Sequence, residues 1–135
     1  MYSDKELIEY AALAMKSAYS PYSGFSVGAA LLTADGTVYT GCNIENASFT
    51  PTICAERVAF FKAVSDGHRE FCKIAIVGGR GGKITSVTYP CGVCRQVMRE
   101  FCGGDFTLLF TDGNEIKKLT LNEIMPYSFL PKELL

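Results

Sequence analysis

Two short stretches of this chain carry residue types that metal chemistry uses, Cys54-Ala55-Glu56-Arg57 and Pro90-Cys91-Gly92-Val93-Cys94. Residues three apart in a first helical turn share a face, so a helix starting at Cys91 would let the sulfurs of Cys91 and Cys94 reach one ion. Cys54, at the start of the preceding helix, is the third donor. A helix N-terminus carries partial positive charge and free N–H groups, which favour the thiolate, the form that binds zinc. Structural zinc sites are usually closed by four protein ligands, whereas catalytic ones keep three and leave a position for water. A fourth ligand is hard to find: the one histidine, His68, follows the second helix in Ser65-Asp66-Gly67-His68 and reads as solvent-exposed. The remaining thiols, Cys42, Cys72 and Cys102, lie in or beside core elements and read as buried small hydrophobes.

Glu56 stands two residues after Cys54. A carboxylate at a helix start is by default a partner of the helix dipole. Beside an open zinc position it has a second use, because zinc brings the pKa of water toward about 7 and a nearby carboxylate can take that proton and deliver it elsewhere. The anionic sulfur cluster should raise the Glu56 pKa and so suit it to a proton shuttle. Three thiolates outweigh a dication by one charge. A guanidinium from Arg57, donating hydrogen bonds to the sulfurs, would draw off that excess and keep the metal electrophilic.

The elements that must hold these residues follow from periodicity. Ser3 and Glu6 have capping-box spacing, and Leu7, Ala11, Ala14, Met15 and Ala18 share a face, which predicts a helix of about four turns stopped by Pro21. Phe25 to Thr33 reads as a buried strand, Asp35-Gly36 as a hairpin turn and Thr37 to Asn43 as the antiparallel partner. A second helix is expected from Thr52 or Cys54 to Asp66, ended by Gly67, then a short strand from Ile74 to Val77. Gly78-Gly79-Arg80-Gly81-Gly82 resembles a phosphate cradle but lacks the Lys-Ser/Thr of a P-loop, and is read as a mobile loop. Cys91 to Phe101 is a third helix, Phe106 to Phe110 and Glu115 to Leu119 are strands, and Leu121 to Ile124 a short last helix. This order predicts one α/β domain over residues 1–135, a three-layer α/β/α sandwich around a mixed sheet of about five strands.

Composition narrows the function. With 13 basic and 14 acidic side chains among 135 residues, the charge is near balance, and no basic surface points to nucleic acid. The longest apolar run, Val27 to Leu32, is far short of the roughly 20 residues that cross a bilayer. The opening MYSDKELIEY is charged where an export signal would be apolar, so the six cysteines are expected to be reduced and the protein cytoplasmic.

Taken together, these motifs resemble cytidine deaminases of the short, three-cysteine type. The likeness rests on Cys54-Ala55-Glu56 and Pro90-Cys91-Gly92-Val93-Cys94 with Arg95-Gln96-Val97, and extends through Tyr22-Ser23, Phe25, Gly28 to Leu31 and Gly41 to Ala47 to Pro126 and Phe129. It implies a cytidine deaminase-like fold, with Cys54, Cys91 and Cys94 holding one zinc ion and Glu56 as proton shuttle. It also places Asn43 and Glu45 on the ribose hydroxyls, an assignment that suits residues two apart in an extended segment, which point the same way. By the same resemblance Phe25 and Ala55 belong to the nucleoside site, and Phe129 stacks on the pyrimidine of a neighbouring subunit in a homotetramer. The implied reaction is hydrolysis of cytidine or 2'-deoxycytidine to the uracil nucleoside and ammonia. A blasticidin-type aminonucleoside deaminase and a non-catalytic structural zinc module are the alternatives. The sequence departs from the family pattern at Phe49-Thr50-Pro51-Thr52 and at Tyr89, which bears on pocket width and intersubunit contacts.

Overall fold

The sheet is built on its longest apolar strand. In a computed structural model, which describes all 135 residues, β1 (Phe25–Thr33) pairs antiparallel with β2 (Val38–Cys42) on one side and with β3 (Phe71–Arg80) on the other. β4 (Thr107–Thr111) runs parallel to β3, and β5 (Ile116–Thr120) closes the far edge antiparallel, for the order β2-β1-β3-β4-β5. Alternation along β1 and β3 feeds two cores. Ala30, Leu32, Ala75 and Val77 meet Leu7, Ala11 and Met15 of α1 (Asp4–Met15). Ala29, Leu31, Ile74 and Ile76 face the other way, toward Ala55, Ala59, Phe60 and Ala63 of α2 (Ala55–Ser65) and Cys94 and Met98 of α3 (Gly92–Phe101). Coverage on both faces explains why β1 is continuously apolar. The result is the expected three-layer sandwich with a five-stranded mixed sheet, and the short α4 (Leu121–Ile124) falls where the sequence put it.

Two expectations need correction. The first helix has its Ser3–Glu6 capping box but ends at Met15, well before Pro21. Beyond it the chain turns to pair with the segment after β2: the Tyr19 N–H donates to the Asn43 carbonyl at 2.9 Å, and the Glu45 N–H to the Tyr19 carbonyl at 2.8 Å. The glycine run is not a loop throughout, because Gly78, Gly79 and Arg80 extend β3 opposite Val27, Ser26 and Phe25. Only Gly81 and Gly82, at φ +66° and +73°, make the turn. A Cβ at Gly79 would stand 1.8 Å from the Lys83 carbonyl oxygen, so the glycines let the returning chain cross the strand closely.

One close approach positions the functional helix. A Cβ on Gly41 in β2 would lie 2.3 Å from the Ala55 carbonyl oxygen and 2.7 Å from the Ala59 nitrogen, so only glycine allows the first turn of α2 to lie directly on the strand. Gly41→Ala is expected to push that turn outward and to destabilise the fold by about 1–3 kcal/mol, the usual cost of overpacking a filled interior. The urea midpoint at an unchanged slope measures it.

Candidate metal centre and substrate site

Both predicted helix starts are present, and each is capped by a cysteine. Cys54 is the N-cap of α2 and Cys91 the N-cap of α3, both in extended conformation, and neither uses its side chain to cap its own helix. Their sulfurs are therefore free to turn toward each other, 3.8 Å apart, while the Cys94 sulfur lies 3.5 Å from that of Cys91. All three lie within 4.8 Å of one another, and no His, Asp or Glu joins them. Zinc–sulfur bonds of about 2.3 Å in tetrahedral geometry put neighbouring sulfurs about 3.8 Å apart, so the donor set fits a zinc ion. Cys94 is buried, Cys54 half-buried and Cys91 exposed, so the cluster reaches from the interior to the surface.

The electrostatics ask for a cation. Cys54 is drawn down to about 5, chiefly by the hydrogen bond from Cys94, then by those from Arg57 and Cys91, against the opposing effect of burial. Cys94 is raised, because it is the partner that keeps the proton and because it is buried. Three sulfurs this close cannot all ionise without a positive charge between them. Arg57 supplies part of that charge: its Nη2 donates to the Cys54 sulfur at 3.4 Å, and although burial works against its charge, the bonds to the Cys54 and Cys94 sulfurs hold it on.

Glu56 sits in the first turn of α2 and is only 4% exposed, among the few charged side chains of the chain so enclosed. Burial lifts its carboxyl to about 7, and the Cys54 thiolate pushes in the same direction. The carboxyl is thus beside the cluster without being one of its donors.

A second group of residues forms at the other end of the α2 start. Ile44 and Ile53 exchange backbone hydrogen bonds of 3.0 Å, which ties the segment after β2 to the residue before Cys54. Asn43 is pinned to β1: its Oδ1 accepts from the Val27 N–H at 2.8 Å and its Nδ2 donates to the Phe25 carbonyl at 2.9 Å. Glu45 accepts from the Tyr22 and Ser23 N–H groups at 3.0 and 3.1 Å and from the Ser23 hydroxyl at 2.5 Å. These bonds, the Ser23 hydroxyl first, hold its carboxyl below the usual range. A carboxylate has about four acceptor sites and an amide a further donor and acceptor, so both side chains retain capacity for a ligand. Phe25 is half-buried beside them, and Ala55 is fully buried under Gly41.

Other predicted positions lie elsewhere. Phe129 is 56% exposed on the C-terminal segment, its carbonyl accepting from Gln96 Nε2 of α3 at 2.9 Å. Arg95 and Arg99 hold the same segment through the Ile124 and Met125 carbonyls. Phe49 is 86% exposed, and Tyr89 packs on Phe110 with its hydroxyl 2.7 Å from Lys117 Nζ. His68 is away from the cluster, as expected, but half-buried: its ring meets Tyr39 edge-on at 5.3 Å, and Nδ1 is 3.8 Å from Asp35. Cys42 and Cys102 are half-buried and Cys72 is exposed, not buried. A register irregularity at Leu32/Thr33 turns Phe71 onto Phe60 and leaves Cys72 outside. In the sequence Arg80 reads only as part of a mobile glycine loop, because its glycine neighbours hide the strand.

A mixed five-stranded sheet with a three-sulfur site at two helix ends defines a zinc-binding α/β protein. Residues 1–109 match the family model described as the cytidine and deoxycytidylate deaminase zinc-binding region. The chain is 47% identical over 131 residues to a cytidine deaminase of Sporosarcina psychrophila, covering 96% of this chain and 93% of that one. It is 45% identical over 131 residues to one of Halalkalibacterium halodurans, covering 95% of each. The crystal structure of cytidine deaminase from Burkholderia pseudomallei superposes with a TM-score of 0.87 at 41% identity, over 95% of this chain and all of that one. The chain belongs to the cytidine deaminase family, in its short form with a three-cysteine zinc site at Cys54, Cys91 and Cys94.

Proposed function

We propose that this chain catalyses the hydrolytic deamination of cytidine and 2'-deoxycytidine, water replacing the ring amine at C4 to give the uracil nucleoside and ammonia. The observation that carries the reading is a three-sulfur donor set with no fourth protein ligand and a buried carboxyl in the first turn of the helix that Cys54 caps. The chemistry that zinc supplies when held by the three cysteines is Lewis acidity, which brings the pKa of water toward about 7. Glu56 takes one proton from the attacking water and delivers it to ring N3, then takes the proton of the hydroxyl formed on C4 and gives it to the departing amine as the C4 carbonyl forms. Arg57 offsets the excess negative charge of the sulfurs. Phe25 lines the nucleoside site, Ala55 belongs to it at the α2 start, and Asn43 and Glu45 take the sugar hydroxyls with the hydrogen-bonding capacity they retain.

Residues 1–135 act as one domain in this reading, since a single sheet runs from β2 to β5. The chain assembles as a homotetramer in which Phe129 completes a neighbour's site, a reading supported by the exposure of Phe129, Tyr127 and Phe49 on the single chain. A cytoplasmic location is supported by six unpaired cysteines, and no helix is long and apolar enough to cross a membrane.

The test is ammonia release from cytidine before and after chelation of the metal. Activity is expected with the holoenzyme, to be lost with chelator and restored by zinc, in a particle that sediments as four chains. Turnover of blasticidin S in place of cytidine would overturn the substrate assignment.

A further inference from the structure

We propose that Arg80 is a positioning residue for the substrate sugar, acting through the Tyr22–Phe25 turn and Glu45. The inference rests on the reading of Glu45 as a sugar ligand.

Arg80 is the last residue of β3 and pairs in register with Phe25, the first residue of β1. Its Nη1 donates to the Ser23 carbonyl at 2.7 Å, and its guanidinium carbon stands 6.0 Å from the centroid of the Phe25 ring. The same turn is also gripped by Glu45, which accepts from the Tyr22 and Ser23 N–H groups. The Ser23 residue therefore has its N–H on an anion and its carbonyl on a cation. This alignment orders the turn without a direct ion pair, since the only salt bridges of the chain are those of Asp35 and Asp4. Arg80 thereby helps to fix the turn without occupying the Glu45 carboxylate, which keeps an acceptor site for a hydroxyl. Gly24, at φ +68°, is shaped for this arrangement, because a Cβ there would come within 3.3 Å of Arg80 Nη1.

The experiment compares steady-state kinetics of the zinc-loaded enzyme on cytidine and on 2',3'-dideoxycytidine, which lacks the 2' and 3' hydroxyls. Arg80→Ala is expected to raise KM for cytidine about three- to tenfold with kcat preserved, the range of one ordinary net hydrogen bond. KM for the dideoxy substrate should stay within about twofold, because the contact that Arg80 orders is absent there. Arg80→Lys, which keeps the cation but not the planar fork, should fall between. An equal KM rise on both substrates, a fall in kcat alone, or no change would overturn the proposal. Glu45→Gln separates the layers. If it leaves the KM for cytidine unchanged, the sugar role of Glu45 fails and the inference fails with it. If it raises that KM while Arg80→Ala does not, the sugar role stands and only the part assigned to Arg80 is lost.

Discussion

Glu56→Ala is expected to lower kcat for cytidine by about two to four orders of magnitude while the chain keeps about one zinc ion, the range over which a positioned acid–base group contributes. The separation of the two readouts follows from geometry, because the carboxyl lies next to the sulfurs but is not among the donors. Its 4% exposure and its carboxyl raised to about 7 describe a group that can both accept and release a proton near neutrality. Glu56→Gln should cost as much, since the amide has the same size and cannot take the proton. Neither variant should melt below the parent, because enclosing an ionisable carboxyl away from water is itself unfavourable to the fold. Steady-state kinetics, metal analysis and thermal melting on one preparation check all three. Activity retained by Glu56→Gln would remove the shuttle from the mechanism.

Cys94→Ser should remove zinc and activity together. Cys94 is the buried member of the cluster, reached from both Cys54 and Cys91, so losing its thiolate leaves two donors for a cation that needs three and the third face open. Zinc bound at such sites contributes on the order of 10 kcal/mol, and a metal that binds only the folded chain stabilises it, so the variant should also unfold at lower urea. Cys102→Ser is the control. Its thiol is raised to about 12 by burial and lies outside the cluster, so zinc content and turnover should both persist. Metal analysis after dialysis distinguishes the two variants. Full zinc in Cys94→Ser would mean that another residue closes the site.

The metal centre was legible in the sequence because it is assembled from local rules. A C-x-x-C at a helix start places two sulfurs together whatever the rest of the chain does, and Cys-x-Glu sets the carboxyl one turn-step from the third. The mixed sheet was legible for a similar reason: an apolar run, an Asp-Gly turn and alternating helices leave few topologies. The less legible parts depend on contacts distant in sequence. That α1 ends at Met15 follows from Tyr19 pairing with residues 43 to 45, which no helix signal reveals. That Gly78 and Gly79 are strand follows from β1 lying opposite them, and glycine by itself argues for a loop. His68 reads as exposed until Tyr39 and Asp35 are brought beside it, and Cys72 reads as buried until the irregularity at Leu32/Thr33 turns it out.

By itself the sequence determined which atoms could hold zinc and which carboxyl could carry a proton, because donor chemistry and helical spacing are properties of neighbouring residues. Only the tertiary structure decided that Glu45 is already engaged by the Tyr22–Ser23 turn and that Arg80 donates to the Ser23 carbonyl of the same turn. Those relations come from strand register and from a loop folding back on a sheet edge, where residues dozens of positions apart meet because burial and backbone pairing leave no other arrangement.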